Sequence, residues 1–434
     1  MNFFMKNRLN IGVIGLWHLG SVYSSCLAKI GYNVTGLDFD NKIISNLNQG
    51  IPPIYEPFLE ETIKKHINKN LFFTDSPSEL CLNKDYIFIT FDLPVDDQDR
   101  VSTELIDKAY DMLSKSLSSK TTLVISSQVP LGTSKKLLAK LKLKIKKPLG
   151  MVYFPENLRL GKAFESFLKP DRIIIGADSE KTSKKFIKDF SDFKCPILTM
   201  SLESAEMVKH ALNTYLATCV SYSSEISDLS ERLGANMLDV VSALKTDRRV
   251  SQYAPINPGL GFSGGTLGRD VQSLIKLGSN NHYEAKLMNT VYSINQDRIP
   301  QLVEKIKSLI NLSSKSTVGI LGLTYKPGTN TLRRSMSLSL ANFLDKNKVN
   351  VKAFDPMIKD QIKTHPYIKI CKSAEELFLN ADIVILMTEW PEFLQLPTSK
   401  YGRLMKKKII IDTKNLLDSS TLIKEGFIYK GIGI

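Results

Sequence analysis

A short apolar run, Asn10 to Ile14, is closed by Gly15 and followed by Val22, Cys26, Leu27 and Ile30, spaced as one face of a helix. Asn33 to Asp38 then reads as a second strand, so the segment is a βαβ unit. This pattern constrains the fold more than any other feature, because parallel strands need a crossover connection and a helix between two strands is its usual form. Further apolar runs at Tyr86 to Thr90, Thr122 to Ile125 and Arg172 to Gly176 alternate with helix-like stretches. They extend a parallel sheet through about the first 200 residues.

From Ser201 to Gly234 and on through Val241 the pattern becomes continuously helical, with Met207, Ala211, Tyr215 and Ala217 to Val220 on a wide apolar face. The spacing predicts a long, partly buried connecting helix. Helical periodicity returns from Val271 to about Leu312, and a second strand, turn and helix begins at Val318 to Leu323 with Gly322 at the turn. Val349 to Asp355, Asp382 to Met387 and Lys408 to Asp412 supply more short β-like runs. The second α/β unit echoes the first, down to strands ending in Asp38 and Asp355, too loosely for a sequence repeat. The expected fold is α/β, two doubly wound domains joined by a long central helix.

At 434 residues the chain exceeds one ordinary core, consistent with two or three domains. Its 43% hydrophobic and 24% charged content is that of a globular protein, and no segment reaches the roughly 18 to 20 apolar residues of a membrane span. Lys6 and Arg8 precede an apolar stretch, but Gly15 and Gly20 break it and no small-residue cleavage site follows, so a secretory leader is not expected. Five widely spaced cysteines without a CxxC pair indicate neither a disulfide frame nor a metal site, and point to a reducing, cytoplasmic setting. The net charge of +14 is spread over scattered lysines without interleaved aromatics. That reads as a solvated lysine-rich surface with some attraction for anionic substrates, and not as a nucleic-acid interface.

The first turn is Gly15-Leu16-Trp17-His18-Leu19-Gly20, which keeps the outer glycines of GxGxxG and puts Trp17 at the middle one. It follows a strand and opens a helix whose N-terminus favours phosphate. Asp38, at the end of the next strand, can take ribose hydroxyls and would repel a 2′-phosphate, which argues for NAD over NADP. The bland alternative is a dinucleotide fold that binds no dinucleotide. A second motif runs from Asn257 to Asp270, with five glycines in fourteen residues. Such a segment can bring several backbone amides close to a phosphate or sugar. A mobile linker would not hold Phe262, Leu267, Arg269 and Asp270 so closely together.

Taken together these residues resemble the UDP-glucose/GDP-mannose dehydrogenase family over nearly the whole chain. The likeness includes Asp38 with Lys42, Pro53-Ile54-Tyr55-Glu56-Pro57, Tyr153 to Arg159 with Gly161, and Pro170 to Gly176. It continues through Glu206, Lys209 and Asn213, the glycine-rich segment, Leu321 to Pro327 with Thr329 and Arg333, Thr388-Glu389-Trp390, and Asp412 with Asn415. The resemblance implies a Rossmann-like NAD domain at 1–200, a central helical domain at 201–312, and a Rossmann-like nucleotide-sugar domain at 313–434. It also implies a homodimer through the long helix. The implied reaction is oxidation of a hexose C6 alcohol on a nucleotide sugar, a UDP-hexose being expected.

By the same resemblance Lys209 and Asn213 stabilise a developing oxyanion, Asp270 assists proton transfer through water, and Glu156 serves acid/base steps. Gly15 to Gly20, Asp38, Lys42 and Gln128 are implied for NAD. Asn157, Leu158, Arg159, Gly259, Phe262, Gly264, Gly265, Lys326, Arg333 and Lys414 are implied for the sugar nucleotide.

The family's nucleophilic cysteine falls at Thr266, a far weaker nucleophile than a thiol. Gln128 replaces a hydroxyl residue, Phe91-Asp92-Leu93-Pro94 replaces a Thr-Pro, Asn330-Thr331 replaces paired acids, and Lys414 replaces an arginine. Three readings follow from these departures: a two-electron oxidation ending at a carbonyl, a four-electron oxidation through an aldehyde hydrate without a covalent bond, or a non-catalytic binding protein retaining both pockets. A 2-hydroxyacid-type dehydrogenase is disfavoured by the second α/β domain and the Thr388-Glu389-Trp390 region.

Overall fold

A computed structural model describes residues 9–94, 101–117, 120–145, 149–155, 158 and 161–434. The chain forms two compact units, Met1–Ala211 and Leu212–Ile434.

The first unit holds β1 (Asn10–Ile14), β2 (Asn33–Leu37), β3 (Leu71–Thr74), β4 (Tyr86–Ile89), β5 (Thr122–Ile125), β6 (Gly150–Tyr153), β7 (Ile173–Ala177) and β8 (Ile197–Met200). They make one sheet in the order β3-β2-β1-β4-β5-β6-β7-β8. The strands read as unbroken apolar runs because both faces are covered, as in other parallel sheets. In β4, Tyr86 and Phe88 enter one core with Val22, Tyr23 and Leu27, while Ile87 and Ile89 enter the other with Leu113, Leu137 and Leu141.

The expectation of a wholly parallel sheet fails at one place, since β7 runs antiparallel to β6. The described helix between them, Ala163–Leu168, buries Ala163, Phe164 and Phe167 in the core that also holds Val22 and Tyr23.

The helix His18–Ile30 packs a face of small residues against the sheet, burying Ser21, Ser24 and Ser25. Their hydroxyls return to nearby carbonyls, Ser24 to Gly20 at 2.7 Å and Ser25 to Ser21 at 2.7 Å, so close packing leaves these donors satisfied.

The second unit holds β9 (Thr317–Leu321), β10 (Asn350–Phe354), β11 (Ile368–Ile370), β12 (Ile383–Leu386), β13 (Ile409–Asp412) and β14 (Ile428–Lys430), in the order β11-β10-β9-β12-β13-β14 and all parallel. This order repeats that of β3 to β6 in the first unit. Each sheet reverses direction of winding beside its first strand, between β1 and β4 and between β9 and β12, which is where open α/β sheets bind ligands.

The long helix is Leu202–Leu233. Its expected continuation through Val241 does not occur: Gly234 takes φ of +76°, and a separate helix, Met237–Leu244, starts from Asn236, whose side chain accepts from Leu238 N–H at 2.9 Å. The periodic stretch after the glycine-rich segment is likewise three helices, Leu267–Asn280, Lys286–Gln296 and Arg298–Leu309. An amphipathic period survives such breaks, so hydrophobic spacing alone does not locate them.

Candidate active site

In the first unit the Gly15 to Gly20 turn lies at the C-terminal end of β1. Gly20 is dictated by contact: a Cβ there would collide with the carbonyl of Gly15 and come within 2.7 Å of Thr90 Oγ1. Thr90 Oγ1 itself donates to Gly15 O at 2.7 Å. The side chains of Leu16 and Leu19 are buried in the core under the turn, so only their backbone faces outward chemistry. Trp17, at the usual middle-glycine position, is 48% exposed and does not fill the turn. His18 Nε2 lies 3.2 Å from Glu56 Oε2. Glu56 is buried and also accepts Gly161 N–H at 2.9 Å and Ala163 N–H at 2.8 Å, which ties the turn's neighbour to the loop after β6.

Asp38 follows β2 and is half-buried. Its Oδ2 accepts Leu16 N–H at 2.5 Å and its Oδ1 accepts Asp40 N–H at 2.9 Å. A carboxylate has about four acceptor sites, so two remain for hydroxyl donors. Beside it opens a cleft of about 450 Å³ lined by Asp38, Phe39, Asn41, Asp75, Pro77 and Met112. Phe39 stacks on Phe91 with centroids 5.6 Å apart, so the Phe91 departure builds one wall beside the turn. Lys42 is exposed on the helix Asn41–Asn48.

Gln128 is half-buried just beyond β5. The loop after it is anchored by Glu206, whose carboxylate accepts Gly132 N–H at 2.5 Å and Ser134 N–H at 2.8 Å and so caps the helix Thr133–Lys144 from another element. Glu206 is fully buried, and the loss of hydration raises its pKa above the ordinary carboxyl value. Lys209, one turn further along the long helix, is 7% exposed. Leu158 borders a small apolar cavity with Tyr23, Phe154 and Phe167. Glu156, Asn157 and Arg159 lie outside the described residues.

In the second unit the glycine-rich segment leads into the helix Leu267–Asn280. Thr266 is exposed at its N-cap, with no capping bond from its side chain. One turn in, Asp270 is fully buried and accepts a hydrogen bond from Asn213 Nδ2. Arg269 Nε stands 3.7 Å from Asp270 Oδ1. These contacts bring together Asn213 and Asp270, 57 positions apart in sequence.

Phe262 is buried with Ala217, Val271 and Val291. Gly264 N–H points to Arg334 O at 3.4 Å, and the Arg333 guanidinium lies about a side-chain contact from Gly265, 3.4 Å from where a Cβ would be. Gly259 faces the Thr413 carbonyl. A cavity of about 20 Å³ is lined by Leu260, Ser263, Thr324, Ser335, Met387 and Lys414, at the point where β9 and β12 part. Lys414 Nζ pairs with Glu389 Oε2 at 3.0 Å, and Lys326 Nζ sits over the Tyr325 ring at 5.5 Å.

Asp355 answers to Asp38 in position but not in state. It is fully buried, and its Oδ2 takes Leu323 N–H at 2.7 Å, Thr324 N–H at 3.0 Å, Thr324 Oγ1–H at 3.1 Å and Trp390 Nε1–H at 3.1 Å. The second unit therefore lacks an open strand-end carboxylate. Sequence reading also missed Asn295, whose amide grips the Phe262 backbone at its N–H and its C=O. A lone polar residue inside a helical period gives no signal of that contact.

The two winding reversals, the glycine turn and the half-open Asp38 define a nucleotide-binding dehydrogenase. Residues 9–194 match the NAD binding domain of the UDP-glucose/GDP-mannose dehydrogenase family, 203–297 its central domain and 319–419 its UDP binding domain. The UDP-glucose 6-dehydrogenase of Rickettsia conorii is 33% identical, aligned over 98% of this chain and 99% of its own length. The Bacillus subtilis protein UDP-glucose 6-dehydrogenase YwqF is 30% identical over 98% of each. Among solved structures, a UDP-glucose dehydrogenase from Pyrobaculum islandicum superposes with TM-score 0.89 at 26% identity, covering 100% of this chain and 99% of that one. A UDP-D-ManNAc dehydrogenase from Pyrococcus horikoshii gives 0.85 at 25%, covering 98% and 99%. The chain belongs to the UDP-glucose/GDP-mannose dehydrogenase family, the NAD-dependent dehydrogenases of nucleotide sugars.

Proposed function

We propose that this chain oxidises the C6 alcohol of a UDP-linked hexose by hydride transfer, without a cysteine thioester, and stops after one two-electron step. The observation that carries the reading is the second-unit constellation: buried Asp270 held by Asn213, with exposed Thr266 one helical turn away where the family thiol would stand.

The first unit suits NAD. Gly20 leaves room for the turn, Asp38 retains acceptor sites for the ribose, and the adjoining cleft can take an adenosine, with Gly15 to Gly20, Lys42 and Gln128 completing the site. Bound NAD supplies the hydride acceptor. Lys209 and Asn213, four residues apart on the long helix, donate to the oxygen that becomes anionic as the alcohol is oxidised. Asp270, oriented by Asn213, passes the alcohol proton outward through water. Thr266 offers a neutral hydroxyl, which without an adjacent base does not form an acyl bond. Glu156 serves the same proton traffic. Asn157, Leu158, Arg159, Gly259, Phe262, Gly264 and Gly265 shape the sugar end, while Lys326, Arg333 and Lys414 attract the diphosphate.

The three functional domains are 1–200, 201–312 and 313–434. The long helix exposes Tyr215, Tyr222, Leu229 and Leu233, spaced by seven, seven and four, which supports a homodimer through that helix. All five cysteines are free thiols, in keeping with a reducing cytoplasm.

One observation favours a second reading. The absence of a thiol at position 266 suits a protein that binds NAD and a nucleotide sugar without turning them over. The deciding experiment counts NADH formed per nucleotide sugar consumed, with mass analysis of the product, over UDP-glucose, UDP-N-acetylhexosamines and GDP-mannose. One NADH and a carbonyl product support the proposal. Two NADH and a carboxylate overturn the two-electron limit, and tight binding with no NADH across the panel supports the sensor.

A further inference from the structure

Asn295 lies on the helix Lys286–Gln296, apart from every residue assigned above to cofactor or sugar. Its amide makes a two-point contact with the backbone of one residue of the glycine-rich segment, reaching the two peptide groups on either side of the Phe262 Cα. Oδ1 accepts Phe262 N–H at 2.8 Å, and Nδ2 donates to Phe262 O at 3.1 Å. The residue before it is forced by this contact: Gly261 has φ of +85°, and a Cβ there would come within 2.5 Å of Asn295 Oδ1 and 3.1 Å of Arg298 Cγ. Two tethers further along are longer, Ser263 Oγ to Tyr325 O at 3.5 Å and Gly264 N to Arg334 O at 3.4 Å. Asn295 thus holds more closely than either of these a segment that reaches Thr266 four residues later and Asp270 one turn beyond.

We infer that Asn295 is a positioning residue, which sets the backbone conformation at Phe262 and through it the placement of Thr266 against the sugar. A group that takes the N–H and gives to the C=O of one residue ties the two peptide planes that flank its Cα and so fixes that residue's φ and ψ, which a single hydrogen bond does not do. The inference rests on the reading of Thr266 and Asp270 as facing the reacting sugar.

The test uses the full-length protein and two variants. Asn295→Ala removes both bonds. Asn295→Asp keeps the shape and the acceptor for Phe262 N–H, but sets a carboxylate oxygen against Phe262 O unless that oxygen is protonated. The measurements are kcat and KM for the nucleotide sugar, NAD affinity, and amide hydrogen exchange at 260–266 compared with the helix Met336–Lys346. Expected results are NAD affinity within about twofold of wild type, kcat lowered about 10- to 100-fold in Asn295→Ala, and faster exchange confined to 260–266. The Asn295→Asp to wild-type ratio of kcat should rise as pH falls, because protonation restores the donor.

Wild-type kcat with unchanged exchange in Asn295→Ala overturns the inference, and so does a pH-independent ratio for Asn295→Asp. Equal losses in NAD affinity and at the reference helix also overturn it, since they mark a merely structural residue. If Asn295→Ala does not fold, Asn295→Asp is decided by the same criteria. If wild type turns over no sugar on the panel, the functional reading fails on its own, and exchange at 260–266 alone decides for or against Asn295.

Discussion

Trp390 donates its indole N–H to Asp355 Oδ2 at 3.1 Å, and both residues are buried. The indole is one of four donors on that oxygen, so the Thr388-Glu389-Trp390 stretch has a physical role in holding a carboxylate that burial would otherwise penalise. Replacing Trp390 by Phe removes one hydrogen bond to a charged group. The expected cost is about 1.5–3 kcal/mol of stability, measured by urea denaturation followed by circular dichroism. A loss below about 0.5 kcal/mol would show that the other three donors suffice.

Asp38 should decide cofactor choice. Asn at this position keeps an acceptor for Leu16 N–H and removes the negative charge. We expect the KM for NAD to rise about 10-fold, equivalent to about 1.4 kcal/mol, and the preference for NAD over NADP to narrow by at least as much. Steady-state rates with both cofactors test this; an unchanged ratio would place selectivity elsewhere.

Asp270→Asn leaves a side chain of the same size but sets an amide against Asn213 and removes the proton acceptor. Turnover should fall about 100-fold or more, with nucleotide-sugar affinity changed less than about threefold. Titration calorimetry beside NADH kinetics separates the two. A variant of normal rate would deny Asp270 a part in proton transfer.

Glu206 gives a pH signature. Its folded pKa is raised by burial above the ordinary 4.5, so the native state holds this proton more tightly than the unfolded chain does. Stability from this group is full below about 4.5 and declines as pH rises through the elevated native value. Glu206→Gln removes the titration. The difference in melting temperature, wild type minus variant, should therefore fall as pH is raised from about 4.5, and a pH-independent difference would assign the anchoring to the neutral shape of the side chain.

Thr266→Cys restores a thiol at the start of the helix Leu267–Asn280, where the helix N-terminus favours the thiolate. The product should change from carbonyl to carboxylate, with NADH per sugar rising from about one to about two. Mass analysis after single-turnover reaction also reveals any acyl adduct on the protein. No change in stoichiometry would mean that residues around position 266, and not the thiol alone, set the end point.

Much of the fold is legible in the sequence. Asn10 to Ile14, Asn33 to Asp38 and Val318 to Leu323 form strands because both faces of a parallel sheet are covered, which leaves unbroken apolar runs. The strands Leu71–Thr74, Ile368–Ile370 and Ile428–Lys430 are not legible, since they are short edge strands with exposed positions and lack the fully buried run of an inner strand. Gly234 ends the long helix without disturbing the amphipathic pattern on either side. At the candidate site, Asn213 and Asp270 could be paired only through family resemblance, as no local rule joins residues that far apart. Leu16 and Leu19 belong to a legible motif, yet their side chains face the core. Asn295 and Phe91 act through specific contacts, which composition and spacing do not encode.

The contrast between Asp38 and Asp355 bears on how such a chain can change over generations. Asp38 spends two acceptor sites on backbone and keeps the rest, so a single substitution there can drift toward another cofactor while the turn survives. Asp355 is knit to four donors from two separate stretches, and any replacement strands several of them at once. Innovation in the second unit is therefore channelled away from the strand end and onto exposed or half-buried side chains such as Arg333 and Lys414, which can vary without dismantling the domain that carries them.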